Sequence, residues 1–220
     1  MRRYVLRSLL AAAGALALSA ALPALSGTAA AQTAPAIDLA AATSERVMGD
    51  PKAPVTIIEY ASLTCPHCAA FHETVLPKLK ADFVDTGQVR FIFRDFPLDA
   101  LALRAAMVAR CMPPDRYFPM LSALFKTQRA WATAADPGKA MAQTAKLGGM
   151  SDAQFQACVT NQQLQQSVAQ SRLTGIQKYN VTGTPSFYDG DGNQLFEVVP
   201  TYEQFVEKLV ALGAKKPAAK

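Results

Sequence analysis

The sequence predicts an α/β protein: a strand–helix–strand unit and a strand–turn–strand–helix unit separated by an all-helical segment. Three observations carry this reading. Two β-branched, apolar runs, VTIIEY (55–60) and VRFIFRDF (89–96), bracket a stretch whose apolar residues stand four apart. From Leu98 to about Tyr179 the strand signal vanishes and one helical pattern follows another. Strand-like segments then return as PSFYDG and NQLFEVV around a GDG turn, ahead of the amphipathic EQFVEKLVALG.

Taken in order, residues 1–31 read as a cleavable secretory signal. Arg2, Arg3 and Arg7 precede an apolar run from Leu9 to Leu18, and small residues stand at Ala29 and Ala31. A spanning helix needs about 20 apolar residues, whereas Ser19, Pro23 and Ser26 interrupt this run. Cleavage after Ala31 removes 31 of 220 residues and leaves 189, enough for one sizeable core. It also removes three arginines, so Lys plus Arg falls from 22 to 19 against 17 acids, and the formal charge falls from +5 to +2. The basic balance therefore belongs largely to the export signal. No Lys/Arg cluster interleaved with aromatics remains, which argues against nucleic-acid binding.

Residues 32–48 are small and polar, without a sustained period, and read as a leader or linker. VTIIEY has the composition of a buried strand. Phe71, Val75, Leu79 and Phe83 then mark a helix that Pro77 should kink, until TGQ turns the chain into VRFIFRDF. The parallel crossover between the two strands should be right-handed. LALRAAMVARC, YFPMLSALF, GKAMAQTAKLG, SDAQFQACV and the glutamine-rich stretch after them read as successive helices, too long and too patterned for a loop. DGDGNQ (189–194) begins like a calcium loop but carries Gln194 where the sharp-turn glycine belongs and Pro200 where the bidentate glutamate belongs, so a hairpin turn explains it better. Asn180-Val181-Thr182 fits a glycosylation sequon with nothing else in support. Residues 214–220 read as a solvated tail.

The chemistry concentrates in CPHC (65–68). Cys65 falls at the end of the first strand and the start of the helix, where unpaired N–H groups and the positive end of the helix dipole favour a thiolate. Cys65 is therefore the expected attacking sulfur and Cys68, one turn deeper, the resolving thiol. His67 offers a hydrogen bond or a positive charge, and Pro66 removes only a donor that the first turn leaves unpaired anyway. A Cys65 pKa of about 4 would stabilise the dithiol by roughly 4 kcal/mol at pH 7, or about 90 mV toward an oxidising centre. A structural disulfide across so small a loop contributes little. A zinc half-site of Cys65, Cys68 and His72 lacks a second half, and no metal site is expected. His72 itself reads as a packed or exposed helix residue.

Glu59 six residues before CPHC, the βαβ opening, the helical insertion, and Val181-Thr182-Gly183-Thr184-Pro185-Ser186-Phe187 ahead of the last strands together resemble the DsbA-like family of thiol:disulfide oxidoreductases, most closely its members with Gly-Thr-Pro. The resemblance covers nearly all of residues 50–213. It implies a thioredoxin fold over 49–97 and 179–213, interrupted by a helical insertion at 98–178. It also implies a cis-proline at Pro185, a substrate-facing backbone at Thr184, and a buried acid at Glu59 that relays a proton to Cys68. Cys111 and Cys158, found as a pair in only some relatives, would close a loop worth roughly 4 kcal/mol and are expected as a structural disulfide beside Cys65–Cys68. The alternative is a second redox pair that modulates the first.

What the resemblance implies about function is a monomeric periplasmic oxidase. It would introduce disulfides into newly exported, cysteine-containing polypeptides, with the Cys65–Cys68 disulfide as its only redox group and a membrane partner of the DsbB type to reoxidise it. A reductase or isomerase, including the copper-tolerance type, is the nearest alternative, although residues 32–48 are too few for the dimerisation module such enzymes often carry. A holdase or metal-binding module is the alternative of a different class.

Overall fold

The two apolar runs lie side by side. Strands β2 (Val55–Ala61) and β3 (Val89–Asp95) pair in parallel, from Val55 opposite Val89 to Ala61 opposite Asp95. The computed structural model describes residues 37–217, so the expected signal segment 1–31 lies outside the described residues. The crossover runs through α2 (Pro66–Thr74) and α3 (Leu76–Leu79), followed by a single π-helical turn at Lys80–Val84. Pro77 explains the break between the helices. It has no N–H to give to the preceding turn, so the helix stops at Val75 and restarts with proline in its first turn, where that donor is not needed.

Alternation along β2 divides the core. Val55 and Ile57 face a layer with Phe71, Phe83, Phe91, Phe187 and Phe205, while Ile58 and Tyr60 face Ile92, Phe96, Val181 and Tyr188. Both faces are covered, as the near-continuous apolar strands require. Strand β4 (Ser186–Asp189) pairs antiparallel with β2, and the sheet order is β1-β3-β2-β4.

Two expectations are corrected. The last residues of the expected leader 32–48 are folded, as α1 (Leu39–Thr43) and β1 (Arg46–Met48), and β1 pairs antiparallel with β3. Three residues are too few to display a strand period, and what binds this segment is a buried guanidinium that pattern reading discounts. Arg110 pairs with Asp95 of β3 and donates to the carbonyls of Ala42 and Ser44 at 3.0 and 3.1 Å, while Arg46 donates to the Arg110 carbonyl at 2.9 Å. The second correction concerns NQLFEVV, which forms no strand. Its pairing shrinks to one bridge, Tyr188 opposite Gln194, flanked by backbone bonds from Leu195 to the Phe187 carbonyl and from Asp189 to the Asn193 carbonyl. Asp189 fastens the turn by accepting from the backbone of Asp191 and Asn193. Phe196 then packs onto Phe205, with ring centroids 4.7 Å apart, and Val198 is 74% exposed, so the β-branched residues beyond have no layer to pack on.

Between β3 and β4 stand α4 (Ala100–Arg110), α5 (Pro114–Lys126), α6 (Gln128–Ala132), α7 (Pro137–Leu147), α8 (Asp152–Val159) and α9 (Gln162–Tyr179), and α10 (Tyr202–Ala211) closes the chain. Side chains of Asp99, Asp136, Ser151 and Asn161 cap four of the inserted helices, each cap worth about 1 kcal/mol. Helix α9 lies close on the sheet, since a Cβ on Gly175 would meet the Tyr60 ring at 2.9 Å. No helix among the described residues is long and apolar enough to cross a membrane. The insertion shares one core with the CPHC segment: Leu63, Cys65, Cys68 and Ala69 pack with Tyr117, Leu121, Phe125 and Trp131.

Removing Arg110 leaves Asp95 buried and two carbonyls without their donor. Arg110→Ala should therefore cost roughly 3–5 kcal/mol, read as a fall of about 10 °C in the thermal midpoint.

Candidate active site

Strand β2 ends at Ala61, and four residues later Cys65 is the N-cap of α2, with extended backbone (φ −80°, ψ 118°) and Pro66 at the first helical position. The connecting loop is held from several sides. The Cys65 N–H donates to the Ser62 carbonyl at 3.1 Å, the Thr64 hydroxyl to Asp99 at 2.7 Å, and the Leu98 N–H to the Ser62 hydroxyl at 3.3 Å. Gln128, buried at the start of α6, donates through one Nε2 to the carbonyls of both Leu63 and Cys65 at 2.9 Å. A helix of the insertion thus grips the backbone of Cys65.

Cys65 and Cys68 are free thiols here, 5% and 0% exposed. Their acidities diverge. The Cys65 pKa is lowered to about 5, first by a hydrogen bond from the Cys68 thiol, with further donors in Thr184 and the backbone N–H groups of Cys68 and His67, while burial works in the opposite direction. Cys68 is pushed well above the ordinary thiol range by burial, by its bond to Cys65 and by the charge of Glu59. The His67 side chain is exposed, and the His67 backbone N–H is among the groups that lower Cys65. The largest effect, a second cysteine as donor, was visible in the spacing of the motif without being counted.

The Thr184–Pro185 peptide bond is cis, and the Cys65 thiol donates to the Thr184 carbonyl at 3.2 Å. The Thr184 hydroxyl is buried without another partner among the described residues. The Ser186 hydroxyl donates to the Gly183 carbonyl at 2.7 Å and closes the turn that presents this loop.

Beneath the pair lies Glu59, fully buried on β2 and opposite Phe93 in the sheet. Its two carboxylate oxygens lie 3.1 and 2.9 Å from Nε2 of His72. His72 sits on α2 four residues beyond Cys68, hence on the same helix face. Its ring stacks on Phe125 at 4.2 Å and meets Phe71 and Phe93 edge-on. Helical spacing placed His72 only as a packed or exposed residue. The missed signal was that its four-residue step from Cys68 aims it at the strand carrying Glu59. Gln128 was also missed, and nothing in its local sequence marks it.

Cys111, the C-cap of α4, is disulfide-bonded to Cys158 of α8, with Cα atoms 6.1 Å apart. Among the described residues no three His, Cys, Asp or Glu side chains converge on a metal position, and His72 is turned to Glu59.

A family model described as thioredoxin matches residues 41–209. Among solved structures, alpha-DsbA1 of Wolbachia pipientis superposes with a TM-score of 0.69 at 31% identity, covering 77% of this chain and 90% of that one. A protein-disulfide isomerase from Novosphingobium aromaticivorans gives 0.67 at 26% identity, covering 77% and 97%. A Rickettsia conorii protein provisionally named a protein-disulfide oxidoreductase is 30% identical over 146 residues, which cover 66% of this chain and 53% of its own length. The chain spans about half the length of the curated relatives first matched.

Two outcomes follow from this geometry. Alkylation of Cys65 followed against pH should show a midpoint near 5, and Cys68→Ala should raise it by about one unit or more, since a unit corresponds to about 1.4 kcal/mol and the largest donor is gone. Gln128→Leu strips two buried carbonyls of their donor and should lower stability by about 2 kcal/mol in denaturant unfolding.

Proposed function

This chain belongs to the thioredoxin family, in its DsbA-like branch, and we propose that it is a dithiol oxidase acting on cysteine-containing polypeptides through a redox-active Cys65–Cys68 disulfide. The observation that carries the reading is the opposed shift of the two thiols. A Cys65 thiolate with a pKa of about 5 stabilises the reduced protein at pH 7 by roughly two units relative to an ordinary thiol. That is about 60 mV toward an oxidising potential, somewhat less than a pKa of about 4 would give. Because the shift is downward, the bias is fully present above the ordinary thiol pKa and is lost as pH falls through about 5.

The steps follow from the positions of the groups. A substrate thiolate attacks Cys65 Sγ, the sulfur nearer the surface, and Cys68 leaves. The substrate lies extended against the Thr184 backbone, whose carbonyl faces Cys65. Glu59 relays a proton to Cys68, which burial and the Glu59 charge strongly favour as the thiol. A second substrate thiolate then resolves the mixed disulfide, and Cys65 departs as the stable thiolate. Two electrons have passed from the substrate thiols to the protein. Within this reading the enzyme is a periplasmic monomer exported by residues 1–31, Cys111–Cys158 is structural, and a DsbB-type membrane protein restores the disulfide.

A disulfide isomerase is the second reading, favoured by the likeness to the protein-disulfide isomerase of Novosphingobium aromaticivorans. The reduction potential against glutathione separates the two. A value nearer −120 than −230 mV is expected for the oxidase, and one near −270 mV would overturn it. The bias toward oxidation should also shrink when the measurement is repeated near pH 5. Cys65→Ser should abolish dithiol oxidation; aggregation suppression that survives this change would instead indicate a holdase.

A further inference from the structure

We infer that His72 is a positioning residue for the leaving thiolate: with Glu59 it forms a buried two-site store of one proton, which is released to Cys68 when the disulfide opens and refilled afterwards. The inference rests on the dithiol chemistry proposed above and adds to it a second proton-holding group, acting through the first.

His72 is enclosed by aromatic rings, Phe71 on its own helix, Phe93 from β3 and Phe125 from α5. Another aromatic or aliphatic residue would suit such a pocket, and replacing a buried ion pair by apolar groups of similar volume is commonly neutral or stabilising. The pair is therefore poorly explained by stability. Its position is informative instead. Glu59 acts on Cys68 through its charge, and His72 stands one helical turn below Cys68 with its Nε2 on both carboxylate oxygens.

The other ionisable groups facing this site are few. Tyr117 of α5, fully buried with no hydrogen-bond partner for its hydroxyl among the described residues, lies within electrostatic reach of Glu59 and Asp95. Asp95 of β3 is paired with Arg110 of α4. Neither Tyr117 nor Asp95 bonds the carboxylate of Glu59, so the proton shared by Glu59 and His72 is the mobile one next to Cys68.

The step balances. The substrate thiolate forms a bond to Cys65 Sγ, the Cys65–Cys68 bond breaks, and its electron pair goes to Cys68 Sγ. Cys68 takes the proton held between Glu59 and His72. The pair passes from neutral to a single negative charge, fixed by the hydrogen bond on the carboxylate. Solvent refills the pair after the second substrate thiol, having given up its own proton, resolves the mixed disulfide.

The test is the pH profile of single-turnover reduction of the Cys65–Cys68 disulfide by dithiothreitol, with rates expressed per dithiothreitol thiolate. This measurement is independent of which way the centre runs in the cell, so a potential near −270 mV would sink the oxidase reading and leave this test intact. In the wild type the rate should fall by about 100-fold as the pair loses its proton. Glu59→Gln should abolish the pH-dependent fall. His72→Gln, which keeps a hydrogen-bond donor but holds no extra proton, should move the midpoint by a pH unit or more. A His72→Gln profile that superimposes on the wild type, or a wild-type profile with no fall, would overturn the proposal. Should the variants fail to fold, the 15N shifts of the His72 ring in the oxidised wild type decide the matter across the same pH range: a change whose midpoint matches that of the rate supports the store, and shifts that stay constant through that midpoint overturn it.

Discussion

The rest of the site depends on one junction, the point where β2 runs out and α2 begins at Cys65. Placing a cysteine at that N-cap gives its sulfur two backbone N–H groups and the thiol of Cys68 one turn on, at no cost in helix hydrogen bonds, because those N–H groups have no partner within the helix. The junction is stiff because its neighbours make it so. Gln128 holds its carbonyls, Ser62 and Asp99 hold its hydroxyl and amide groups, and the Thr184 carbonyl closes over the sulfur.

This arrangement also explains why an all-helical insertion belongs to a small α/β fold. The inserted helices do not merely decorate the sheet: they share a core with Leu63, Cys65 and Cys68 and supply Gln128 to the loop and Phe125 to His72. Burial of Cys68 against them raises its pKa, and that in turn makes it a good donor to Cys65. The acidity of one thiol is thus obtained by packing the other. The buried Arg110–Asp95 pair extends the same logic outward, fastening β1 and α1 to the sheet and to the insertion.

Much of this was legible in the sequence, for physical reasons. β2 and β3 are buried on both faces, so their composition announced them, and a run of helices cannot hide its period. CPHC stood out because thiol chemistry needs its two sulfurs three residues apart. β1 did not, since three residues with a buried arginine show no pattern. NQLFEVV misled because β-propensity describes a side chain that has a surface to pack on, and beyond Phe196 there is none. His72 and Gln128 escaped because their partners are reached across the fold: Glu59 lies 13 residues away and Cys65 lies 63.

The Thr184–Pro185 loop reaches Cys65 across 119 residues, whereas every other group that lowers its pKa lies within three residues of it. The acidity of Cys65 is therefore largely a local endowment of one helical turn, while, on the function proposed above, discrimination among substrates is a long-range property that exists only when the sheet has accepted its last strand. A molecule whose β4 edge has frayed would still carry a charged, attacking sulfur, but with no wall to choose what approaches it. Keeping that edge closed is then a matter of fidelity more than of rate.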